Sequence, residues 1–157
     1  MKKLLLTAFL LLSLAYLAWP CAVLWQLDQA LLEEEDRPLA ELVDMVAVRA
    51  EITRKLNRDP QGAVGEVSNR FADWLQEGIR RLGSRAVEQL VTLDWVRAQL
   101  LSKRPPGDNR AFLPQVSYAY FEAYDRFLVR VGALGEAPVY FLLRLEGLVW
   151  RVTAVYY

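Results

Sequence analysis

Few side chains in this sequence could carry acid–base or nucleophilic chemistry. It contains no histidine, and Cys21 is its one cysteine. That removes the usual metal ligand and the usual general base near neutral pH. It also rules out an internal disulfide and any cysteine-based zinc site. Carboxylates remain: Asp73 and Glu77 stand one helical turn apart, and Asp94 follows. A pair of that kind can serve as general acid and base. Nothing around these three predicts burial, so they read as solvated helix charges. No glycine-rich phosphate loop, Gly-x-Ser-x-Gly elbow or metal-ligand spacing occurs. The expectation is a protein that is not an enzyme, with no catalytic, cofactor-binding or metal residues and no cofactor.

Basic residues form two groups. Arg80, Arg81 and Arg85 surround a helix start expected at Ser84, where an anion could bind. They also complement the end of the preceding helix, and that is the preferred reading. Arg130, Arg144 and Arg151 fall on one face of an expected sheet and could hold an anion, although a solvated outer face explains them as well. With the aromatic run Tyr118, Tyr120 and Tyr124 they make the candidate interaction surface, set against the ordinary strand-forming role of aromatic residues.

What positions these residues begins with Met1 to Leu27. Lys2 and Lys3 precede an uncharged run from Leu4 to Leu27, roughly 36 Å of helix at ~1.5 Å per residue, against a hydrocarbon core of ~30 Å. Residues 1–27 are therefore expected to form a signal-anchor helix, with Leu4, Phe9, Leu12, Trp19, Pro20 and Trp25 as anchor residues. The lysines before it and Asp28, Glu33, Glu34, Glu35 and Asp36 after it predict a cytoplasmic N-terminus and an outside domain. Cleavage after Ser13-Leu14-Ala15 is the alternative, giving a secreted periplasmic protein. Trp19 and Pro20 before Cys21 argue against lipidation there. Leu24, Leu27 and Leu31 keep helical spacing, so the helix is expected to run on, kinked at Pro20, into the domain.

Residues 28–157 are expected to form one α+β domain. Setting Lys2 and Lys3 aside leaves 17 basic against 19 acidic residues, which argues against nucleic acid and against a polybasic membrane patch. In the helical half, 28–102, Asp36, Asp44, Ser84 and Thr92 are expected to cap helices. Met45, Val48, Ile52 and Leu56 make one apolar stripe, and Val64 to Leu82 a longer one. KRPPGDNRAFLP lies in a mobile linker, 103–115.

The sheet half, 116–157, changes to a period of two. Phe127, Val129 and Val131 alternate with Arg126, Leu128 and Arg130; Val139 to Leu145 repeat the pattern. A turn at Glu146-Gly147 would pair Leu145 with Leu148, Leu143 with Trp150, Phe141 with Val152 and Val139 with Ala154. VSYAYFEAYD is a further strand, broken near Glu122 to Tyr124. The expected product is several short helices packed on an antiparallel sheet of three or four strands.

The lysine-led anchor with LDQAL behind it, the segment LVDMVAVRAEI and the ending DRFLVRV…FLLRLEGLVWRVTAV together resemble the bacterial domain-of-unknown-function family numbered 2939. The resemblance implies a small envelope protein with an N-terminal signal or anchor and no defined active site. This chain departs from the family pattern at Met45-Val46, where an aromatic-Pro pair is common, and at Ala154, where an acid is usual. More loosely, helices followed by a curved sheet are similar to nuclear-transport-factor-2-like cones, which would put a pocket between the Val64–Leu82 helix and the sheet. The expected role is an accessory or interaction subunit of a membrane or periplasmic complex, with the lipid bilayer and an envelope protein as partners. A binding module for a small apolar or anionic ligand is the alternative.

Overall fold

Leu24, Leu27 and Leu31 stand three and four residues apart, and that spacing turns one face of the first helix into the domain core. The computed structural model describes residues 2–58, 74, 77–78, 80–81, 85–104, 107, 109–133, 135 and 137–156, and of 56–58 the backbone alone. Along the chain come α1 (Lys2–Leu32), α2 (Asp36–Leu42), α3 (Met45–Arg58), α4 (Ala86–Leu90) and α5 (Leu93–Leu101). A 3₁₀ turn, Leu113–Gln115, leads into β1 (Val116–Ala123), β2 (Arg126–Val131), β3 (Val139–Glu146) and β4 (Val149–Tyr156). The fold is α+β, with an apolar N-terminal helix and a four-stranded antiparallel meander in the order β1-β2-β3-β4.

α1 is one helix through Pro20, and it belongs to two environments. Leu4 to Leu12 are exposed, whereas Val23, Leu24, Leu27, Ala30 and Leu31 are buried. Burial of each leucine contributes about 1.5–3 kcal/mol, so the C-terminal half of α1 is a core element of the domain. Among the six expected anchor residues Pro20 is buried; Leu4, Phe9, Leu12, Trp19 and Trp25 are exposed. Cys21 is also exposed.

The sheet meets these helices through one face. Phe127, Val129 and Val131 pair with Leu143, Phe141 and Val139, and all six are buried with Trp150, Val152 and Val155. Phe112 packs edge-on against Phe141 at 5.3 Å. Residues 103–115, expected as a mobile linker, thus end in the core, because Ala111 and Phe112 are buried. Asp44 and Thr92 cap α3 and α5 as expected, accepting from Ala47 N at 2.9 Å and Trp95 N at 3.2 Å. Asp36 does not cap α2: Glu35 is the N-cap and Asp36 the first helical residue. Its carboxylate instead accepts from Arg97 Nη2 at 2.8 Å.

The β3–β4 register differs from the expected one. Glu146 pairs with Val149, Leu145 with Trp150 and Leu143 with Val152, so the turn is Gly147-Leu148. Gly147 takes φ +65 at the first central position, as a type II′ turn requires. The slip is two residues, which leaves every side chain on its face; alternation alone could not distinguish the registers. Beyond Val152, Leu142 pairs with Ala154 and Phe141 with Val155, leaving Thr153 as a bulge residue. The bulge exchanges faces: Val155, not Ala154, sits opposite Phe141 in the core. In β1 a register shift between Phe121 and Ala123 marks the break expected near Glu122. Of the apolar stripe from Val64 to Leu82 the described residue is Trp74, which packs against the core and stacks on Trp95 at 6.2 Å. The rest of that stripe, Asp73, the Ser84 cap and the Leu56 side chain lie outside the described residues.

Candidate functional site

α3 forms one wall of a cleft and the sheet's second face forms the other. Val43 bridges β4 at Val152 in parallel, and Asp44 N donates to Val152 O at 2.9 Å. With its start fixed at that edge, α3 buries Val48 and Ile52 and turns Ala47, Ala50, Glu51, Arg54 and Lys55 into a cleft of about 920 Å³. The sheet wall carries Tyr118, Tyr120, Tyr140 and Tyr156, with Arg126, Arg144 and Thr153 among them. Thr153 and Ala154 reach this wall through the bulge.

Most charges inside the cleft are partnered. Arg54 donates to Glu51 at 2.6 Å, and that hydrogen bond, then the charge of Glu51, holds the guanidinium above its ordinary pKa. Tyr156 donates to Glu51 Oε1 at 3.4 Å, and Lys55 Nζ lies 3.4 Å above the Tyr156 ring, a cation–π geometry. Arg144 Nε stands 3.6 Å and Arg126 Nε 4.0 Å from the carboxylate of Asp125. A hydrogen bond with Tyr140, and then burial, raise the Tyr118 phenol above its ordinary range.

The six residues expected as an interaction surface do not form one surface: Tyr118, Tyr120 and Arg144 line the cleft, and the other three lie apart from it. The Tyr118 and Tyr120 ring centroids are 5.9 Å apart, and Tyr124 is exposed at the β1–β2 turn. Arg144 and Arg151 are half-exposed, and Arg151 lies 4.0 Å from Glu146. Arg130 is a correction: it is buried, not on a solvated face. Its guanidinium donates to Ser117 Oγ at 2.9 Å, Gly132 O at 2.7 Å and Ala133 O at 3.3 Å. It also faces the rings of Tyr118 and Tyr140 at 5.8 and 5.9 Å. Carbonyl oxygens and ring faces thus satisfy this charge, and it clamps the β2–β3 connection.

Glu77 is ion-paired with Arg80 at 3.4 Å and Arg81 at 2.7 Å. Arg85 stands at the N-cap of the five-residue α4. Asp94 lies in the first turn of α5. Among the described residues no group of three His, Cys, Asp or Glu is placed to hold a metal ion.

Two positioning residues escaped the sequence reading. Asp28 is fully buried, and its Oδ1 accepts from the backbone N–H groups of Ala111, Phe112 and Leu113 at 3.0, 2.8 and 3.0 Å. It fastens α1 to the segment that opens the sheet. The available signal was that Asp28 falls on the same stripe as Leu24, Leu27 and Leu31. The second is Arg97, which donates to the carbonyls of Leu31, Glu33 and Glu35 as well as to Asp36.

With this geometry in hand, the family model for a protein of unknown function, DUF2939, matches residues 9–99. The chain belongs to the DUF2939 family. The match begins within the exposed part of α1 and ends near the close of α5, so in this DUF2939 protein the α3 wall of the cleft lies inside the matched region and the sheet wall outside it. No curated protein and no solved structure matches the chain. The likeness to nuclear-transport-factor-2-like cones is not confirmed.

Proposed function

We propose that this DUF2939 protein is a single-pass envelope protein, held in the cytoplasmic membrane by α1 and acting as an accessory or interaction subunit of a larger membrane or periplasmic complex. The observation that carries this reading is the double use of α1. Its N-terminal part is exposed and apolar, long enough with the rest of the helix to cross a membrane, while Leu24, Leu27 and Leu31 are core residues. A domain attached in this way is held against the bilayer with one orientation. Lys2 and Lys3 ahead of the span and the acids behind it support a cytoplasmic N-terminus and a periplasmic or extracellular domain. The absence of histidine and the partnered state of Glu77 and Glu51 support interaction instead of catalysis. The partners are the lipid bilayer and an envelope protein, not nucleic acid.

Carbonate extraction, intact mass and native purification in mild detergent test this together. The expected result is a carbonate-resistant chain with its leader intact, recovered with a stoichiometric partner. A mature N-terminus at Tyr16 would overturn the anchor. Recovery as a free monomer in every detergent would overturn the subunit role.

The cleft supports a second reading, a binding module for a small apolar or anionic ligand. Four tyrosines beside Arg54, Arg126 and Arg144 suit an anion carrying an apolar ring. Titration of the full chain in micelles with benzoate, followed by tyrosine ring resonances, should move Tyr118, Tyr140 and Tyr156. No movement at millimolar benzoate removes this reading.

A further inference from the structure

In a four-stranded meander the β1–β2 and β3–β4 turns lie at one end of the sheet and the β2–β3 connection at the other. Here the two turns are joined, with Leu145 N donating to Asp125 O at 2.9 Å. α1 leaves the domain at this same end. The Tyr16 ring stacks on Phe121 at 6.0 Å and tilts against Trp150 at 6.4 Å, and its hydroxyl donates to the carbonyl of Tyr124. Tyr16 is therefore where the helix meets the sheet. The apolar helix ahead of it, Leu4 to Ala15, measures roughly 18 Å at ~1.5 Å per residue, short of a ~30 Å hydrocarbon core. A spanning α1 must draw the turn end of the sheet down to the membrane surface, and the remaining ~12 Å is met by local thinning of the bilayer and by Lys2 and Lys3 snorkelling to the far interface.

That end is built for such a position. Tyr124 and Leu148 are 80% and 78% exposed, and Val149 and Leu17 about half. Turn tips ordinarily carry polar residues; these carry Tyr124 and Leu148, exposed beside Asp125 and Gly147, and the Asp125 carboxylate is turned to Arg144 and Arg126. One register step back, Arg126 pairs with Arg144 and Arg144 with Arg151, so three guanidinium groups stand abreast across three strands. Like charges directly opposite one another destabilise a sheet. The carboxylates nearby answer only part of this: Asp125 lies 4.0 and 3.6 Å from Arg126 and Arg144, and Glu146 lies 4.0 Å from Arg151. Arg151 Nε is buried and has no hydrogen-bond partner among the described residues. Phosphate oxygens complement such a row, since guanidinium groups bind them in a fork.

We infer that the turn end of the sheet is a phospholipid-docking surface, with Tyr124, Leu148 and Val149 entering the headgroup layer and Arg126, Arg144 and Arg151 bound to lipid phosphates of the same membrane that α1 enters. The inference rests on the membrane-held reading above. The arginines' aliphatic stems extend along the surface while their charged ends reach the phosphates, as snorkelling side chains do. α3 and the β2–β3 connection then point away from the bilayer.

The test uses the full chain with Cys21→Ala, reconstituted into vesicles of phosphatidylcholine and phosphatidylglycerol containing lipids that carry a shallow nitroxide quencher. A fluorophore is placed at Leu148→Cys, and in a second sample at Ala137→Cys in the β2–β3 connection. Quenching at position 148 should exceed that at 137 at least twofold. Replacing all three arginines by glutamine should reduce it, and replacing them by lysine should restore most of it. Equal, weak quenching at both positions in a chain that still resists carbonate overturns the docking surface and leaves the anchor standing. Release by carbonate with quenching at 148 retained overturns the anchor and supports the docking surface. An unchanged signal in the glutamine variant removes the arginines from the proposal.

Discussion

Asp28 shows how one residue can tie together parts of the chain that sequence proximity does not connect. Its carboxylate replaces water for three backbone donors just ahead of the 3₁₀ turn at Leu113, donors that a helix start leaves without partners. Asp28→Ala should cost about 3 kcal/mol, since charge-assisted hydrogen bonds contribute about 1.5–3 kcal/mol and their loss strands buried donors. Thermal unfolding in detergent would read this as a lowered midpoint; an unchanged midpoint would mean that water replaces the carboxylate freely. Tyr118 offers a second test. A phenol whose folded pKa lies above its unfolded value adds stability below about pH 10, and that stability is lost as pH rises through the folded value. Tyr140→Phe removes the leading cause of the shift, so ultraviolet titration should find Tyr118 ionising at lower pH. The burial of Asp28 and of Arg130 was not legible from residue type. Asp28 read as the first charge after a span, and Arg130 as one of three surface arginines, because burial of a charge depends on partners far along the chain.

Elements were more legible than their connections. The period-two run through β2 and β3 and the helical spacing at Leu24, Leu27 and Leu31 follow from the side chains each element must bury, so they survive in the structure. The β3–β4 turn and the Thr153 bulge do not change which residues are apolar, and the sequence pattern could not place them. The bulge matters for the cleft, because it brings Ala154 to the wall that Leu142 shares and sends Val155 inward. Gly147 is the point of control. Its φ of +65 suits glycine and strains other residues, so Gly147→Ala should destabilise the hairpin by roughly 1 kcal/mol. Hydrogen exchange of the β3 and β4 amides would detect faster opening. The end of α1 shows a similar dependence on distant chain. Its last turn holds no basic residue, and Arg97 of α5 supplies the positive charge that helix C-termini favour. Arg97→Gln should lower the unfolding midpoint by an amount equivalent to about 1–2 kcal/mol.

For the whole molecule, the decisive quantity is the length of α1 outside the domain. Composition gives an almost neutral chain with no basic run, and on that ground a membrane-binding surface looked unsupported. The three arginines that form one lie at positions 126, 144 and 151, far apart in sequence, and only the strand register brings them abreast. The same geometry makes membrane depth adjustable. Seven leucines inserted after Leu6 add about 10 Å of helix and two turns, close to a whole number of rotations, so the face that enters the core keeps its direction. The lengthened span reaches across the bilayer before Tyr16, lifting Tyr124 and Leu148 out of the headgroup layer. Quenching at position 148 should then fall to the level seen at position 137, while carbonate resistance persists or increases. If quenching at 148 stays as strong with the longer helix, the turn tips hold the surface by their own affinity, and the arginine row, not the helix length, sets the depth of the domain.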